Sequence, residues 1–195
     1  VDTGSTDRTK AIANTFGAKV YNFEWTDDFS EARNLSLSKA TGNWILVLDA
    51  DEVISPLDYE RLTKIVKSNP AHPAAYSIIT RNYVTPPDVT GWTCNNGQYA
   101  DEEMGTGWHP SPKVRLFSND QSIRFENPIH EIVETSLMDH GIRIQQCDIP
   151  IHHYGQLNRE NYMAKGEEYY RLGKKKLAEK GEDLKTLTEL AVQAE

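Results

Sequence analysis

The sequence has few cysteines and no long hydrophobic run, and both absences narrow the class of protein. Its 195 residues include two cysteines, Cys94 and Cys147, without the spacing of a metal motif. Two cysteines are also too few for a disulfide framework. No apolar stretch approaches the ~20 residues that cross a bilayer, and no signal-peptide pattern opens the chain. We therefore expect a cytoplasmic protein, and peripheral association with the inner face of a membrane stays open.

Positive charge is also scarce. The chain carries 21 lysines and arginines against 29 aspartates and glutamates, which gives a formal net charge of −8. A protein that binds the phosphate backbone of nucleic acid needs basic residues, so nucleic acid is not an expected partner. The acidic excess instead suits a site that collects carboxylates around a cation.

The chain opens on the residues V-D-T-G, without a methionine, and this opening is typical of the end of a strand followed by a polar turn. We therefore expect a fragment that lacks the first strand or two of its domain. The length still allows one domain with a substantial core and an appended segment.

Apolar patterning predicts alternating helices and strands over the first fifty residues. Helices are expected near 7–16 and 30–40, and strands at 18–23 and 44–48. The second of these strands is a continuous apolar run, which is typical of a strand buried on both faces of a parallel sheet. The order β-α-β-α-β with short connections indicates a doubly wound α/β sheet.

The rest of the chain changes character twice. A helix at 56–68 and a strand at 74–82 are followed by residues 85–112, which are rich in glycine and proline and predict a long loop. Short strands then predict a second, more antiparallel layer that ends at 149–154. From Arg159 onward the sequence is helical and highly charged. We assign residues 1–155 to one α/β domain and residues 156–195 to a helical extension.

The strongest local signal for chemistry is a pair of carboxylates, Asp49 and Asp51, directly after the apolar strand. Ligands of open α/β sheets bind at the carboxyl ends of strands. Carboxylates at positions i and i+2 of extended chain share one side and can face a common ion. Their hard oxygen atoms suit Mg²⁺ or Mn²⁺, which also bind a diphosphate. The simpler alternative is a solvated acidic strand end.

The same stretch permits a second interpretation. Residues 49–53 satisfy the D-x-D-x-[TV] pattern of haloacid-dehalogenase-type phosphatases, in which Asp49 would be a nucleophile. That fold normally has the motif on its first strand and needs a later acidic pair. Here the motif follows what we interpret as the third strand, so a Mg²⁺-dependent phosphatase ranks second. A non-catalytic module that binds nucleotide sugars is a third hypothesis.

Three motifs in order favour another family. Residues 1–7 read V-D-T-G-S-T-D, residues 29–34 read F-S-E-A-R-N, and residues 44–52 read W-I-L-V-L-D-A-D-E. Together they resemble family 2 glycosyltransferases of the GT-A fold, over roughly residues 1–155. The resemblance is closest to bacterial members with V-D-T-G-S-T-D and D-A-D-E, some of which carry helical repeats after the catalytic domain.

The resemblance implies a fold and a reaction. The fold would be a Rossmann-related mixed sheet flanked by helices, followed by the C-terminal helical segment. The reaction would move a hexosyl group, with inversion, from a nucleoside-diphosphate sugar, expected to be a UDP-sugar. The acceptor would be a glycan, a lipid-linked molecule or a protein, and the cofactor Mn²⁺ or Mg²⁺.

The resemblance also implies roles for individual residues. The nucleotide-sugar site would comprise Asp2, Arg33, Asp49 and Ala50, with Arg33 near the diphosphate. Asp51 would bind the metal directly and so take part in catalysis. A late histidine would be a further metal ligand, and of His152 and His153 we favour His153.

Two assignments rest on weaker matches. The E-D pair that supplies the base in many family members has no clear copy here, and the segment N-P-I-H-E at 127–131 makes Glu131 the candidate base. A salt-bridged structural glutamate is the alternative. Trp108, in the long loop, and Arg115, in an R-L-F strand, would border the acceptor.

Overall fold

The computed structural model describes residues 1–68, 73–85, 90–157 and 159–180, together with Leu187 and Leu190. Within these residues the helices are α1 (Thr9–Thr15), α2 (Phe29–Lys39), α3 (Tyr59–Lys67), α4 (Glu134–Asp139) and α5 (Arg159–Lys180). A 3₁₀ turn, Pro56–Asp58, precedes α3. The strands are β1 (Trp44–Leu46), β2 (Glu52–Val53), β3 (Ala75–Val84), β4 (Thr93–Cys94), β5 (Gly107–Ser118) and β6 (Ile144–His153).

The described strands form one mixed sheet in the order β1-β5-β3-β6-β2, with β4 paired to β5. Strand β5 runs antiparallel to both β1 and β3, whereas β6 runs parallel to β3 and antiparallel to β2. The long strands β3, β5 and β6 form the centre of the sheet. The expected α/β fold with a mixed sheet is confirmed.

Apolar residues cover both faces of this sheet. Phe117 belongs to one buried cluster, against which Leu37 of α2 packs. Its neighbour Leu116 belongs to a second cluster, against which Leu62 and Val66 of α3 pack. Successive residues of a strand point to opposite faces, so helices flank the sheet on both sides.

The first strands differ from the prediction. The apolar run at 44–48 forms a three-residue strand, β1, that pairs antiparallel with β5, and Leu46 and Leu48 are exposed. Residues 18–23 contribute only an isolated parallel bridge between Asp2 and Asn22. An apolar run indicates burial but carries no information on strand direction, which depends on the distant partner.

The predicted long loop and second layer are also wrong in part. Strand β5 begins at Gly107, so residues 107–112 are strand and not loop. Residues 131–134 form no strand, α4 begins at Glu134, and β6 joins the same sheet as β3. The predicted C-terminal helix is confirmed over Arg159–Lys180, and most of residues 184–195 lie outside the described residues. No helix in the described ranges is long and apolar enough to span a membrane.

Candidate active site beyond strand β1

Arg33 joins two carboxylates that are far apart in the sequence. Its NH2 group donates to Asp49 Oδ1 at 2.5 Å, and its Nε donates to Glu131 Oε1 at 3.1 Å. Burial by itself would raise the pKa of Asp49, but the Arg33 guanidinium holds that pKa below its ordinary value. Asp49 is therefore a carboxylate at neutral pH, and the same guanidinium also binds Glu131.

The motif at 29–34 explains why Arg33 lies there. Asp28 caps α2 by accepting from the backbone N–H groups of Ser30 and Glu31. One turn later, the Asn34 amide donates to the Phe125 carbonyl at 2.9 Å and accepts from the Phe125 N–H at 2.8 Å. These contacts fix where α2 begins and how it is rotated about its axis, and so direct Arg33 towards Asp49.

A buried ion pair lies beneath the Asp49 turn. Arg115 NH2 donates to Glu52 Oε1 at 2.6 Å, and Arg115 NH1 lies 3.6 Å from Asp49 Oδ2. The other Glu52 oxygen accepts from the Asp49 N–H at 2.9 Å. Both side chains of the ion pair are at most 5% exposed. Arg115 was expected to border the acceptor, but its burial places it under the turn that presents Asp49 and not at the surface.

Asp51 lies beside the end of β6. Strand β2 pairs with β6 so that Glu52 faces His153 and Val53 faces His152. The Tyr154 N–H donates to the Asp51 carbonyl at 3.1 Å. This pairing brings Asp51 Oδ2 within 3.3 Å of His153 Nε2.

The hydrogen bonds of Asn82 determine which nitrogen of His153 carries the proton. Asn82 Nδ2 donates to the His109 carbonyl at 3.1 Å, so Asn82 Oδ1 faces His153 Nδ1 at 2.8 Å. A carbonyl oxygen only accepts, and therefore Nδ1 carries the hydrogen. In the neutral ring Nε2 then directs its lone pair at the Asp51 carboxylate.

The pair of acceptors fits a divalent cation. Adjacent ligands of an octahedral ion at about 2.1 Å lie about 3 Å apart, close to the observed separation of Asp51 Oδ2 and His153 Nε2. Gly155 leaves room there, since a Cβ at that position would overlap Asp51 Oδ2 and lie 2.7 Å from His153 Nε2. The described residues hold no cluster of three or more His, Cys, Asp and Glu suited to a metal. Water or a diphosphate would complete the coordination.

The two adjacent histidines occupy different environments. His152 is fully buried, with Nδ1 at 2.7 Å from the Tyr83 hydroxyl, and burial lowers the pKa of His152 to about 4. His153 lies on the other face of β6, beside Asp51. Of the two histidines, the structure brings only His153 to Asp51.

Trp108 lies on the face of the sheet opposite His153. It belongs to β5, where it pairs with Tyr83, and the Arg81 guanidinium lies 4.7 Å from its ring. Because strand residues alternate, the neighbouring pair Asn82 and His109 faces the other side, which is the side of His153. The prediction that Trp108 lies in a long loop is therefore wrong, since Trp108 is part of strand β5.

Sequence reasoning missed three side chains near the carboxylates. Asn82 orients His153, His109 Nε2 lies 2.7 Å from Gln156 Oε1, and Glu52 supports the Asp49 turn. Glu52 belongs to the D-A-D-E motif, but no short motif marks Asn82 or His109. The signal that could have found Asn82 and His109 is their direct pairing across β3 and β5, which becomes visible only with the strand register.

Asp2 holds the turn that follows it. Its Oδ1 accepts from the backbone N–H groups of Gly4 and Ser5 at 3.1 and 3.0 Å, and Lys10 Nζ lies 3.5 Å away. Hydrogen bonds from Ser5, with that from Gly4 and the Lys10 charge, lower the pKa of Asp2 to about 2 despite its burial. Ala50 is exposed between Asp49 and Asp51.

The site therefore combines an arginine-held carboxylate pair with an aspartate–histidine pair suited to a cation. The sequence profile described as "Glycosyl transferase family 2" matches residues 1–125, which is more than half of the chain. The chain belongs to glycosyl transferase family 2.

Two individual proteins are also similar. A TPR repeat-containing protein of Synechococcus elongatus is 39% identical over 162 residues, and the match covers 80% of this chain and 34% of that protein. This chain thus spans about a third of the curated relative's length. Among solved structures, the crystal structure of S. aureus TarS 1-349 matches with a TM-score of 0.48 and 16% sequence identity, over 99% of this chain and 59% of that one.

Proposed function

We propose that the chain transfers a hexosyl group from a nucleoside-diphosphate sugar, with a UDP-sugar as the expected donor, to a hydroxyl group of an acceptor. The observation that carries the proposal is the approach of Asp51 Oδ2 and His153 Nε2, which lie 3.3 Å apart at the strand ends. Membership of the family supports glycosyl transfer as the reaction class.

In the proposed reaction Glu131 is the base. It takes the proton of the acceptor hydroxyl, whose oxygen then forms a bond to the anomeric carbon. The bond from that carbon to the diphosphate breaks, and the electron pair leaves with the nucleoside diphosphate. Attack opposite the leaving group inverts the anomeric carbon.

Arg33 and Asp49 orient the reacting groups. The two hydrogen bonds of Arg33 to Asp49 and Glu131 use two of its five N–H donors, so others remain for phosphate oxygens. Asp49, held from below by Glu52 and Arg115, would contact the ribose, with exposed Ala50 beside the sugar. Asp2 would contact the base or ribose from its own turn.

Asp51 and His153 would hold the cation, Mn²⁺ or Mg²⁺. A bound cation supplies Lewis-acid stabilisation of the negative charge on the departing diphosphate. The His153 hydrogen bond to Asn82 supports this role, because it keeps Nε2 free to coordinate. The histidine and carboxylate set suits Mn²⁺ slightly better than Mg²⁺.

The finer assignments belong to the same proposal. The chain would belong to the bacterial subset with a helical repeat extension. Its acceptor would be a glycan, a lipid-linked molecule or a protein. It would act in the cytoplasm, at the inner face of the membrane if the acceptor is a lipid. The name of the Synechococcus relative supports the repeat extension. The phosphatase alternative is disfavoured because Asp49, its nucleophile, is paired with Arg33 and lies near Arg115.

Calorimetric titration of UDP and GDP tests the proposal. Wild-type protein is expected to bind one of the two with Mn²⁺ present and to lose that binding in EDTA. Asp51→Ala is expected to abolish the metal-dependent part. Asp139→Ala is the matched control, because Asp139 is an exposed aspartate at the end of α4.

The decisive outcomes differ clearly. A nucleotide affinity that stays the same in EDTA, or in Asp51→Ala, would refute the cation site. Hydrolysis of simple phosphate esters that requires Asp49 would replace the transferase with the phosphatase. Nucleotide binding without any release of UDP from UDP-sugars would leave only a binding module.

A further inference from the structure

Helix α5 packs on two segments that are distant in the sequence. One is residues 27–29, at the start of α2, and the other is residues 127–131, which carry Glu131. We call these two segments the α5 contact segments. The segments are bonded to each other, since the Phe29 N–H donates to the Pro128 carbonyl at 2.9 Å.

Tyr169 contacts both of the α5 contact segments. Its ring centroid lies 5.6 Å from that of Phe29 and 5.5 Å from that of His130, and both contacts are edge-on. Such aromatic pairs contribute about 0.5–1.5 kcal/mol beyond their buried area. One side chain of α5 therefore touches the residue that starts α2 and the residue next to the candidate base.

Ion pairs fix α5 to the same place. Lys175 Nζ donates to Asp27 Oδ2 at 2.7 Å, and Arg171 NH2 donates to Asp27 Oδ1 at 3.2 Å. Asp27 has a φ of 62°, which a non-glycine residue adopts at a cost. Leu172, between these cations, is buried.

The backbone beside Glu131 depends on support from outside its own segment. Asn127 and His130 both have positive φ angles, 77° and 51°. Unusual backbone conformations of this kind persist when the surrounding structure determines them. Glu131 in turn is hydrogen-bonded to Arg33, which lies one helical turn after Phe29. Both members of the Arg33–Glu131 pair thus extend from segments that α5 contacts.

We propose that Tyr169 is a positioning residue. Together with the Asp27 ion pairs, it holds the side chains of Glu131 and Arg33 in the positions that the transfer reaction requires. The inference rests on the proposed function for the role of Glu131. It assigns to α5, which follows the segment matched by the family, a part in the chemistry of the site.

Tyr169→Ala tests the proposal with two readouts, compared with Tyr170→Ala. Tyr170 is exposed on the same helix. Hydrogen exchange at the Phe29 and Ile132 amides, which are hydrogen-bonded to the carbonyls of Pro128 and Glu126, is expected to accelerate at least tenfold in Tyr169→Ala and not in Tyr170→Ala. UDP release from UDP-glucose or UDP-N-acetylglucosamine is expected to slow about tenfold or more, because small displacements of catalytic groups are costly. UDP affinity should fall less than the rate of UDP release, because Asp51 and His153, which would hold the cation, lie outside the segments that α5 contacts.

A second variant and a double variant complete the test. Asp27→Asn keeps a residue that tolerates positive φ while removing the charge, and should slow turnover about threefold, so it serves if Tyr169→Ala does not fold. In a Glu131→Gln background, Tyr169→Ala should cause a much smaller further loss, because the carboxylate that Tyr169 positions is already absent and only the effect on Arg33 remains. Unchanged hydrogen exchange at the Phe29 and Ile132 amides, or a full additional loss in that background, would overturn the proposal. Failure of the proposed function is distinguishable, because wild-type protein would then release no UDP while the exchange result stands.

Discussion

Glycine at position 155 leaves the space between Asp51 and His153 open. Its φ lies outside the left-handed region, so backbone conformation does not require a glycine there. A Cβ, however, would occupy the volume next to Asp51 Oδ2 and His153 Nε2. With glycine at position 155 the cation position is open, whereas any larger side chain would fill it.

Gly155→Ala is therefore expected to weaken Mn²⁺ binding about tenfold or more, a loss comparable to that from disturbing the supporting residues of metal sites. Calorimetric titration with Mn²⁺ measures the loss, and thermal unfolding checks that the fold survives. Gly166→Ala in α5 is the control, because a Cβ there meets nothing within 4 Å. Equal Mn²⁺ affinity in the two variants would contradict the proposed position of the cation.

Asn82 acts on the same position from the other side of the imidazole. Asn82→Ala removes the acceptor for the Nδ1 hydrogen and is expected to lower Mn²⁺ affinity about 10- to 100-fold. Thr80→Val is the matched control, since Thr80 lies two residues earlier in β3 and its hydroxyl has no hydrogen-bond partner among the described residues. The same titration distinguishes them, and a wild-type affinity in Asn82→Ala would show that the tautomer is not set there.

The residues of the candidate site differ in how far the sequence alone could identify them. Asp49, Asp51 and His153 could be proposed because each lies at a strand end and has a metal-binding side chain. Asn82 and Gly155 could not, because their importance depends on the register of β6 against β2 and β3. That register joins residues about seventy to a hundred positions apart and leaves no short pattern.

At the scale of elements, the Asn34 amide joins α2 to the chain that follows β5. Asn34 bonds to both backbone groups of Phe125, at 2.9 and 2.8 Å. The predicted helix at 30–40 was confirmed, but this lateral contact explains what the asparagine after Arg33 does. It fixes the helix relative to the chain that leads to Glu131.

Asn34→Ala is expected to reduce the free energy of unfolding by about 2 kcal/mol, because it leaves two partly buried backbone groups unpaired. Denaturant unfolding gives the value. Asn34→Asp, which keeps the acceptor for the Phe125 N–H and loses the donor, should fall between Asn34→Ala and wild type. Ser36→Ala, on the exposed side of α2, should change the free energy of unfolding by less than about 0.5 kcal/mol. An equally small effect of Asn34→Ala would show that the Asn34–Phe125 hydrogen bonds do not stabilise the fold.

Four elements were predicted closely from the sequence. Helices α2, α3 and α5 and strand β3 lie close to their predicted ranges. The direction of β1 and the length of β5 were mispredicted. Strand β5 contains Pro110 and Pro112, which usually end strands, and it exists because β3 pairs along its whole length.

For the whole molecule, the mixed sheet brings together chemistry that four separate parts of the chain supply. Arg33 comes from a helix, Asp49 and Asp51 follow an edge strand, Glu131 comes from a turn, and His153 ends the last strand. No pair of these segments could form the site alone. Ligand binding at this junction should therefore stabilise the complete fold, and not only one element.

Thermal unfolding tests that coupling. A ligand at 100 times its Kd stabilises the folded state by about 2.7 kcal/mol, which for a chain of this size raises Tm by roughly 5–10 °C. UDP with Mn²⁺ is expected to give such a shift in wild-type protein and in Asp139→Ala, and Mn²⁺ alone a smaller one. EDTA should remove the shift, and Asp51→Ala should not show it, because the nucleotide's diphosphate would then lack the cation that joins it to the protein. A full shift in EDTA would mean that the nucleotide binds without Asp51 and His153, and the proposed cation would have no part in holding the donor.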